Sequence, residues 1–171
     1  MIYEPAEDSL LLQKHVKKYA KGKVLDLGSG SGIQALTALK KTKDVLAVDI
    51  NPKAVDTLRE KGLKAEVSDL FSNVKEKFDL IIFNPPYLPR DDEEPEDSAV
   101  ITTGGKEGYE VIERFLQHAK KFLTSEGRIL LVCSSLTGDV EKLFKKYSYR
   151  FKKLEEEKIF FERLFVYYLQ S

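Results

Sequence analysis

Short apolar runs alternate with amphipathic stretches along the chain, the pattern of a parallel α/β sheet whose strands are joined by covering helices. From about Glu7 to Ala20, the residues Leu11, Leu12, His15, Val16 and Tyr19 fall at helical spacing. Lys23 to Leu27 reads as a first strand, Ile33 to Lys41 as a helix and Asp44 to Asp49 as a second strand. Pro52 suits the first position of the next helix, which runs to about Lys61 and stops at Gly62. Leu63 to Val67 is a third strand and Phe78 to Phe83 a fourth. A long amphipathic helix spans Glu107 to Leu123, and Gly127 then turns the chain into a fifth strand, Arg128 to Cys133.

The ending departs from this rhythm. After a helix near Gly138 to Tyr147, two strand-like runs follow closely, about Tyr149 to Leu154 and Ile159 to Leu169, with Glu155, Glu156 and Glu157 at the junction. Strands this close form an antiparallel hairpin, because a parallel pair needs a crossover of a dozen residues or more. Leu88 to Gly108 fits neither period. It holds six acidic residues between Asp91 and Asp97 together with Pro89, Pro95, Gly104 and Gly105, and reads as a mobile substrate loop. Residues 1–171 are expected to form one domain.

Charge narrows the range of functions. Lys plus Arg and Asp plus Glu each number 28, so the formal net charge is zero. That balance argues against affinity won mainly from nucleic-acid phosphates. The single cysteine, Cys133, sits in an apolar run and is expected to be buried and inert. No disulfide within the chain is possible, so a cytoplasmic location is expected. Neither a signal peptide nor a membrane span is expected from the sequence.

The candidate chemistry lies at the ends of the strands. The first strand leads into Asp26-Leu27-Gly28-Ser29-Gly30-Ser31-Gly32, where glycines allow the backbone close to a ligand. Dinucleotide enzymes favour G-x-G-x-x-G, whereas here Gly28, Gly30 and Gly32 alternate behind Asp26. A carboxylate at that point suits a ligand carrying an ammonium and a sulfonium, and suits a pyrophosphate badly. Asp49 ends the second strand, where a carboxylate can accept from ribose hydroxyls, while Asn51 supplies the helix N-cap before Pro52. Asp69 follows the third strand and can accept from an adenine amino group, with Leu70 or Phe71 covering the ring. Three such carboxylates lie along the rim where open α/β sheets bind ligands.

The fourth strand ends in Asn84-Pro85-Pro86-Tyr87. Two prolines stop the ladder and stiffen the chain, fixing the Asn84 side chain and a backbone carbonyl. Two such oxygens can accept both hydrogens of a planar –NH₂ group, either an amide or the exocyclic amine of adenine, and Tyr87 can flank its plane. A planar nitrogen is a poor nucleophile; holding it in line with a methyl sulfonium, with acceptors for the charge that builds on it, supplies the help it needs. The cofactor expected is S-adenosylmethionine, with S-adenosylhomocysteine as product.

In this order, Gly28-Ser29-Gly30-Ser31-Gly32, Asp49, Asp69-Leu70 and Asn84-Pro85-Pro86-Tyr87 resemble the motifs of the class I methyltransferases. Tyr3-Glu4-Pro5-Ala6-Glu7-Asp8-Ser9 is similar to the signature of the archaeal and eukaryotic branch of HemK-related glutamine methyltransferases of translation release factors. The resemblance implies a Rossmann-like sheet of seven strands, mostly parallel with a C-terminal antiparallel hairpin, and helices on both faces. It implies cofactor contacts from Ser9, Asp26, Gly28, Asp49, Asp69 and Leu70, with Asn84 at the substrate nitrogen and Pro85, Pro86 and Tyr87 around it. It implies methylation of the glutamine of a release-factor Gly-Gly-Gln loop, and a small zinc-binding activator protein as heterodimer partner; it implies no metal in this chain. The acidic loop is expected to attract the basic flanks of that Gly-Gly-Gln loop. An adenine methyltransferase of DNA or RNA is the nearest rival, and lysine methylation a further one.

Overall fold

A computed structural model of the chain describes residue 2, residues 4–88 and residues 102–171. The acidic run from Asp91 to Asp97, read above as part of a mobile loop, lies outside the described residues. The elements are α1 (Glu7–Tyr19), β1 (Val24–Leu27), α2 (Ile33–Leu39), β2 (Val45–Asp49), α3 (Pro52–Glu60), β3 (Lys64–Val67), β4 (Phe78–Phe83), α4 (Glu110–Ala119), β5 (Leu123–Ser134), α5 (Val140–Lys146), β6 (Arg150–Ile159) and β7 (Glu162–Gln170).

Seven strands form one sheet in the order β3-β2-β1-β4-β5-β7-β6. The first five are mutually parallel, and β7 runs antiparallel to both β5 and β6. Strands β1, β2, β4 and β5 are apolar on both faces because both faces are covered. Alternate residues therefore enter two cores. Leu25, Ile81, Phe83, Ile129 and Leu131 pack with Ile112, Phe115 and Leu116 of α4 and Phe144 of α5. Val24, Leu80, Ile82, Leu130 and Val132 pack instead with Leu11, Leu12 and Val16 of α1, Ala35 of α2 and Val55 and Leu58 of α3. Each fully buried Leu, Ile or Phe contributes roughly 1.5–3 kcal/mol relative to exposure, so the two covered faces dominate stability.

The chain winds from β1 outward through β2 to β3, then returns to β4 on the other side of β1. The carboxyl ends of β1 and β4 thus flank the point where the winding reverses, the crevice in which open α/β sheets bind ligands. Asp26 pairs in register with Ile82, and Leu27 with Phe83, which sets the glycine turn beside Asn84.

Three expectations from the sequence need correction. Gly127 is no turn: it lies inside β5, and a Cβ there would come within 2.8 Å of the Phe78 carbonyl, beside the register shift between Phe78 and Leu80. Glycine marks close backbone approach at an irregular strand pairing. Glu155, Glu156 and Glu157 are not the hairpin junction either; they continue β6, and the turn falls at Phe160 and Phe161. β6 is an edge strand, and Glu156 is satisfied there by Lys153 and Arg163, so the charges do not interrupt it. Finally, helix α4 is shorter than its apolar period suggested, beginning at Glu110 and tightening into a 3-10 turn over Lys120–Phe122. Cys133 is fully buried as expected, and burial pushes its thiol well above the ordinary range.

Candidate active site

The turn after β1 is built around a buried carboxylate. Asp26 is 2% exposed, and its Oδ2 accepts from the Ser29 hydroxyl at 2.5 Å and from the Ala35 amide at 3.0 Å. Burial lifts the Asp26 carboxyl to about 7; those two hydrogen bonds oppose the shift and nearby Asp49 adds to it. Asp49 closes the loop from the other side, accepting from Gly30 N at 2.8 Å and Asn51 N at 2.8 Å. Asn51 caps α3 through Lys53 N, as its place before Pro52 suggested. Gly28 and Gly30 have φ of 64° and 51°, left-handed conformations that bring bare backbone to the cavity wall.

Asp69 stands half-exposed at the rim, paired with Arg114 of α4 at 2.9 Å. Leu70 follows in a left-handed conformation, φ 49°, held by a hydrogen bond from the Ser68 hydroxyl to its carbonyl. Leu70 lines the cavity. Phe71 does not cover a ligand ring: it turns inward and stacks on Phe122, ring centroids 4.5 Å apart.

Beyond β4, Asn84 Nδ2 donates to Asp8 Oδ2 at 3.0 Å and the Tyr87 hydroxyl donates to the same oxygen at 3.3 Å. Asn84 Oδ1 is buried with no hydrogen-bond partner among the described residues. The Tyr87 carbonyl accepts from Thr137. Leu88 N donates to Thr102 O and Gly104 N to Leu88 O, each at 2.9 Å, so both ends of the acidic loop are clamped beside the tetrapeptide.

The structure brings Ser9, Asp26, Gly28, Gly30, Asp49, Asp69, Leu70, Asn84, Pro85, Pro86 and Tyr87 to the wall of one cavity of about 280 Å³. Gly32 alone of the expected residues lies elsewhere. With φ 85° it caps α2, and a Cβ there would sit 2.6 Å from Leu58, so packing against α3 explains its glycine. Among the lining residues to which sequence reasoning gave no role, three stand out. Asp8 and Arg114 act through partners 76 and 45 positions away, which no local pattern reveals. Gln34 looked like an ordinary helix residue; it is 4% exposed, donates to Ser9 O at 2.8 Å and leaves its Oε1 buried without a partner among the described residues. No cluster able to hold a metal occurs among the described residues.

These residues fit S-adenosylmethionine. Asp26 and Asp49 offer carboxyl groups to a cationic ligand, and Gln34 and Asn84 offer buried acceptors that lack donors among the described residues. The cavity combines apolar lining such as Leu70, Phe83 and Val111 with these convergent polar groups and the exposed rim pair of Asp69 and Arg114, the usual make-up of a small-molecule site.

Comparison with known proteins agrees. The family model described as the methyltransferase small domain matches residues 6–161. A protein of Methanocaldococcus jannaschii, provisionally named a protein N5-glutamine methyltransferase, is 41% identical over 160 residues, covering 88% of this chain and 81% of that one. The release factor glutamine methyltransferase of Streptococcus pneumoniae is 33% identical over 140 residues, covering 72% of this chain but half of its own length. In structure, the chain superposes on one chain of the E. cuniculi Mtq2–Trm112 complex, described as responsible for methylation of the eRF1 translation termination factor. The TM-score is 0.81 at 26% identity, over 99% of this chain and 98% of that one. More distant methyltransferases of the same fold have been solved with S-adenosylmethionine or S-adenosylhomocysteine.

Proposed function

The chain belongs to the methyltransferase small domain family, and from that premise we propose that it methylates the side-chain amide nitrogen of a protein glutamine, that of the Gly-Gly-Gln loop of a class-1 release factor. It is an S-adenosylmethionine-dependent enzyme of the HemK-related group. The observation that carries the substrate reading is the Asn84 side chain. Its nitrogen is engaged by Asp8 and its oxygen is left as a buried acceptor in the cavity wall, complementary to an N–H donor.

Bound S-adenosylmethionine supplies an electrophilic methyl group on a sulfonium. The chain's own groups do the rest. Asp49 holds the ribose, and Asp69 with Leu70 meets the adenine. Asn84 Oδ1 and the Pro85 carbonyl accept the two hydrogens of the glutamine amide, and Pro86 keeps that carbonyl in place. Positive charge develops on the nitrogen during transfer, and these two oxygens stabilise it without reorganising. Tyr87, fixed by Asp8 and Thr137, packs along the amide plane. The proton becomes acidic only as the new bond forms, so water suffices to remove it.

A small zinc-binding activator is the proposed partner, supported by the partnered state of the Mtq2–Trm112 complex. β3 is a sheet edge and pairs only with β2 among the described residues, which leaves backbone groups able to add a strand from another chain. The cytoplasm is the proposed location, in keeping with a lone cysteine and a soluble translation factor as substrate.

Incubation with labelled S-adenosylmethionine and an archaeal release factor, with and without co-purified activator, tests the reading. Label should enter the native factor and not the same factor with its Gly-Gly-Gln glutamine replaced. Equal labelling of both would sink it; labelling of nucleic acid alone would favour the adenine reading.

A further inference from the structure

The amino terminus of α1 carries a carboxylate, Asp8, that is 3% exposed, and its two oxygens face different neighbours. Oδ2 accepts from Asn84 Nδ2 at 3.0 Å and from the Tyr87 hydroxyl at 3.3 Å. Oδ1 accepts from Ser9 N at 2.6 Å and from the Ser9 hydroxyl at 3.2 Å. An ionised carboxylate can only accept, so the Asn84 atom facing it must be the nitrogen. An asparagine terminal torsion is soft and has two nearly equivalent amide orientations. Nothing in the Asn-Pro-Pro-Tyr backbone chooses between them; Asp8 does. The same contact pulls electron density toward Oδ1, strengthening it as an acceptor.

We propose that Asp8 is a positioning residue for methyl transfer: it locks the Asn84 amide with its oxygen available to the substrate nitrogen and polarises that oxygen. The inference rests on the reading of Asn84 as acceptor for the substrate amide. With the amide reversed, an NH₂ group would oppose the substrate's own NH₂, donor against donor. In this role Asp8 acts through Asn84 and touches no reacting atom.

Two measurements test this on the full-length enzyme with its activator. The sequence holds three asparagines, Asn51, Asn73 and Asn84, so selective ¹⁵N-asparagine labelling yields three resolvable side-chain amides. An Asn84 amide proton should exchange with solvent at least tenfold more slowly than that of a free asparagine side chain under the same conditions, and Asp8→Ala should abolish that protection. The second measurement is a double-mutant cycle in kcat at saturating cofactor and substrate, where affinity lost through Ser9 appears separately in KM. Asp8→Ala should lower kcat tenfold or more in the wild-type background and less than twofold in the Asn84→Ala background. Should the alanine variant fail to fold, Asp8→Asn keeps the volume while removing the charge that fixes the amide, and should show the same dependence on Asn84. Unprotected Asn84 protons in the wild type, or an equal fall in both backgrounds, would overturn the proposal. A wild-type enzyme inert toward the release factor refutes the substrate reading alone, and the exchange result then decides Asp8's role by itself.

Discussion

Asn84 and Asp49 should fail in opposite ways when each is cut back to alanine. Asn84→Ala removes an acceptor used as charge develops; kcat is expected to fall roughly a hundredfold, with cofactor affinity by calorimetry nearly unchanged. Asp49→Ala removes hydrogen bonds to a charged group and should weaken cofactor binding by about 1.5–3 kcal/mol. Part of that loss comes from Gly30 N and Asn51 N, which Asp49 holds in the folded loop. Asp26 gives a pH signature. Its carboxyl titrates at about 7 in the fold against about 3.9 in an unfolded chain. A raised value means the folded state holds the proton longer, so this group's stabilisation is complete below about pH 4 and is lost as pH climbs through 7. Asp26→Asn keeps an acceptor for Ser29 and Ala35 without the charge. Thermal melts of the cofactor-free proteins should show the variant gaining on wild type between pH 5 and 8; parallel curves would contradict the assignment.

The turn between β6 and β7 shows an element bearing a cost its own contacts do not repay. Phe160 adopts φ 44° and is 87% exposed, and Phe161 is fully exposed. A two-residue hairpin with positive φ at its first position favours glycine there. Phe160→Gly should therefore raise Tm, because relief of roughly 1–2 kcal/mol of left-handed strain outweighs the backbone entropy, about 0.5–1 kcal/mol, that glycine adds to the unfolded chain, and little packing is lost. Unchanged or lower Tm would mean that the ring contributes packing after all. Elsewhere the elements were readable from local pattern: β4 spans Phe78–Phe83 as read, and β6 and β7 pair as the expected antiparallel hairpin. The errors arose where a local signal had a non-local cause. Gly127 looked like a turn because the nearby Phe78 carbonyl is separated from it by 49 positions in sequence, and the glutamates looked like a loop although Glu155 meets Lys14 and His15 of α1 and Glu156 meets Lys153 and Arg163 of the hairpin.

At the scale of the molecule, balanced charge leaves no long-range field of one sign, so any steering must come from local patches. The acidic run Asp91 to Asp97 is the strongest of these in the sequence, and the residues flanking its loop, Leu88 with Thr102 and Gly104, are hydrogen-bonded beside Tyr87. Neutralising its six acidic residues should flatten the dependence of kcat/KM on ionic strength for a basic release-factor loop, leaving kcat near its original value. A salt dependence identical to wild type would remove the loop from substrate capture. Among the described residues, no helix is long and apolar enough to cross a membrane.

The order of motifs by itself indicated the sheet, the carboxylates along its rim and the Asn-Pro-Pro-Tyr corner, because strand period, glycine turns and proline stops are local properties of a chain. What depended on tertiary structure was every choice between neighbours of similar chemistry. Leu70 and not Phe71 faces the cavity, since Phe71 finds Phe122 to stack on. Gly32 serves α3 packing and not the ligand, since Leu58 lies where its Cβ would be. Asp8, one acid among several at the amino terminus, meets Asn84 only because the fold brings the start of α1 to the residue that follows β4. Such choices are made by contacts between residues far apart in sequence, where periodicity carries no information.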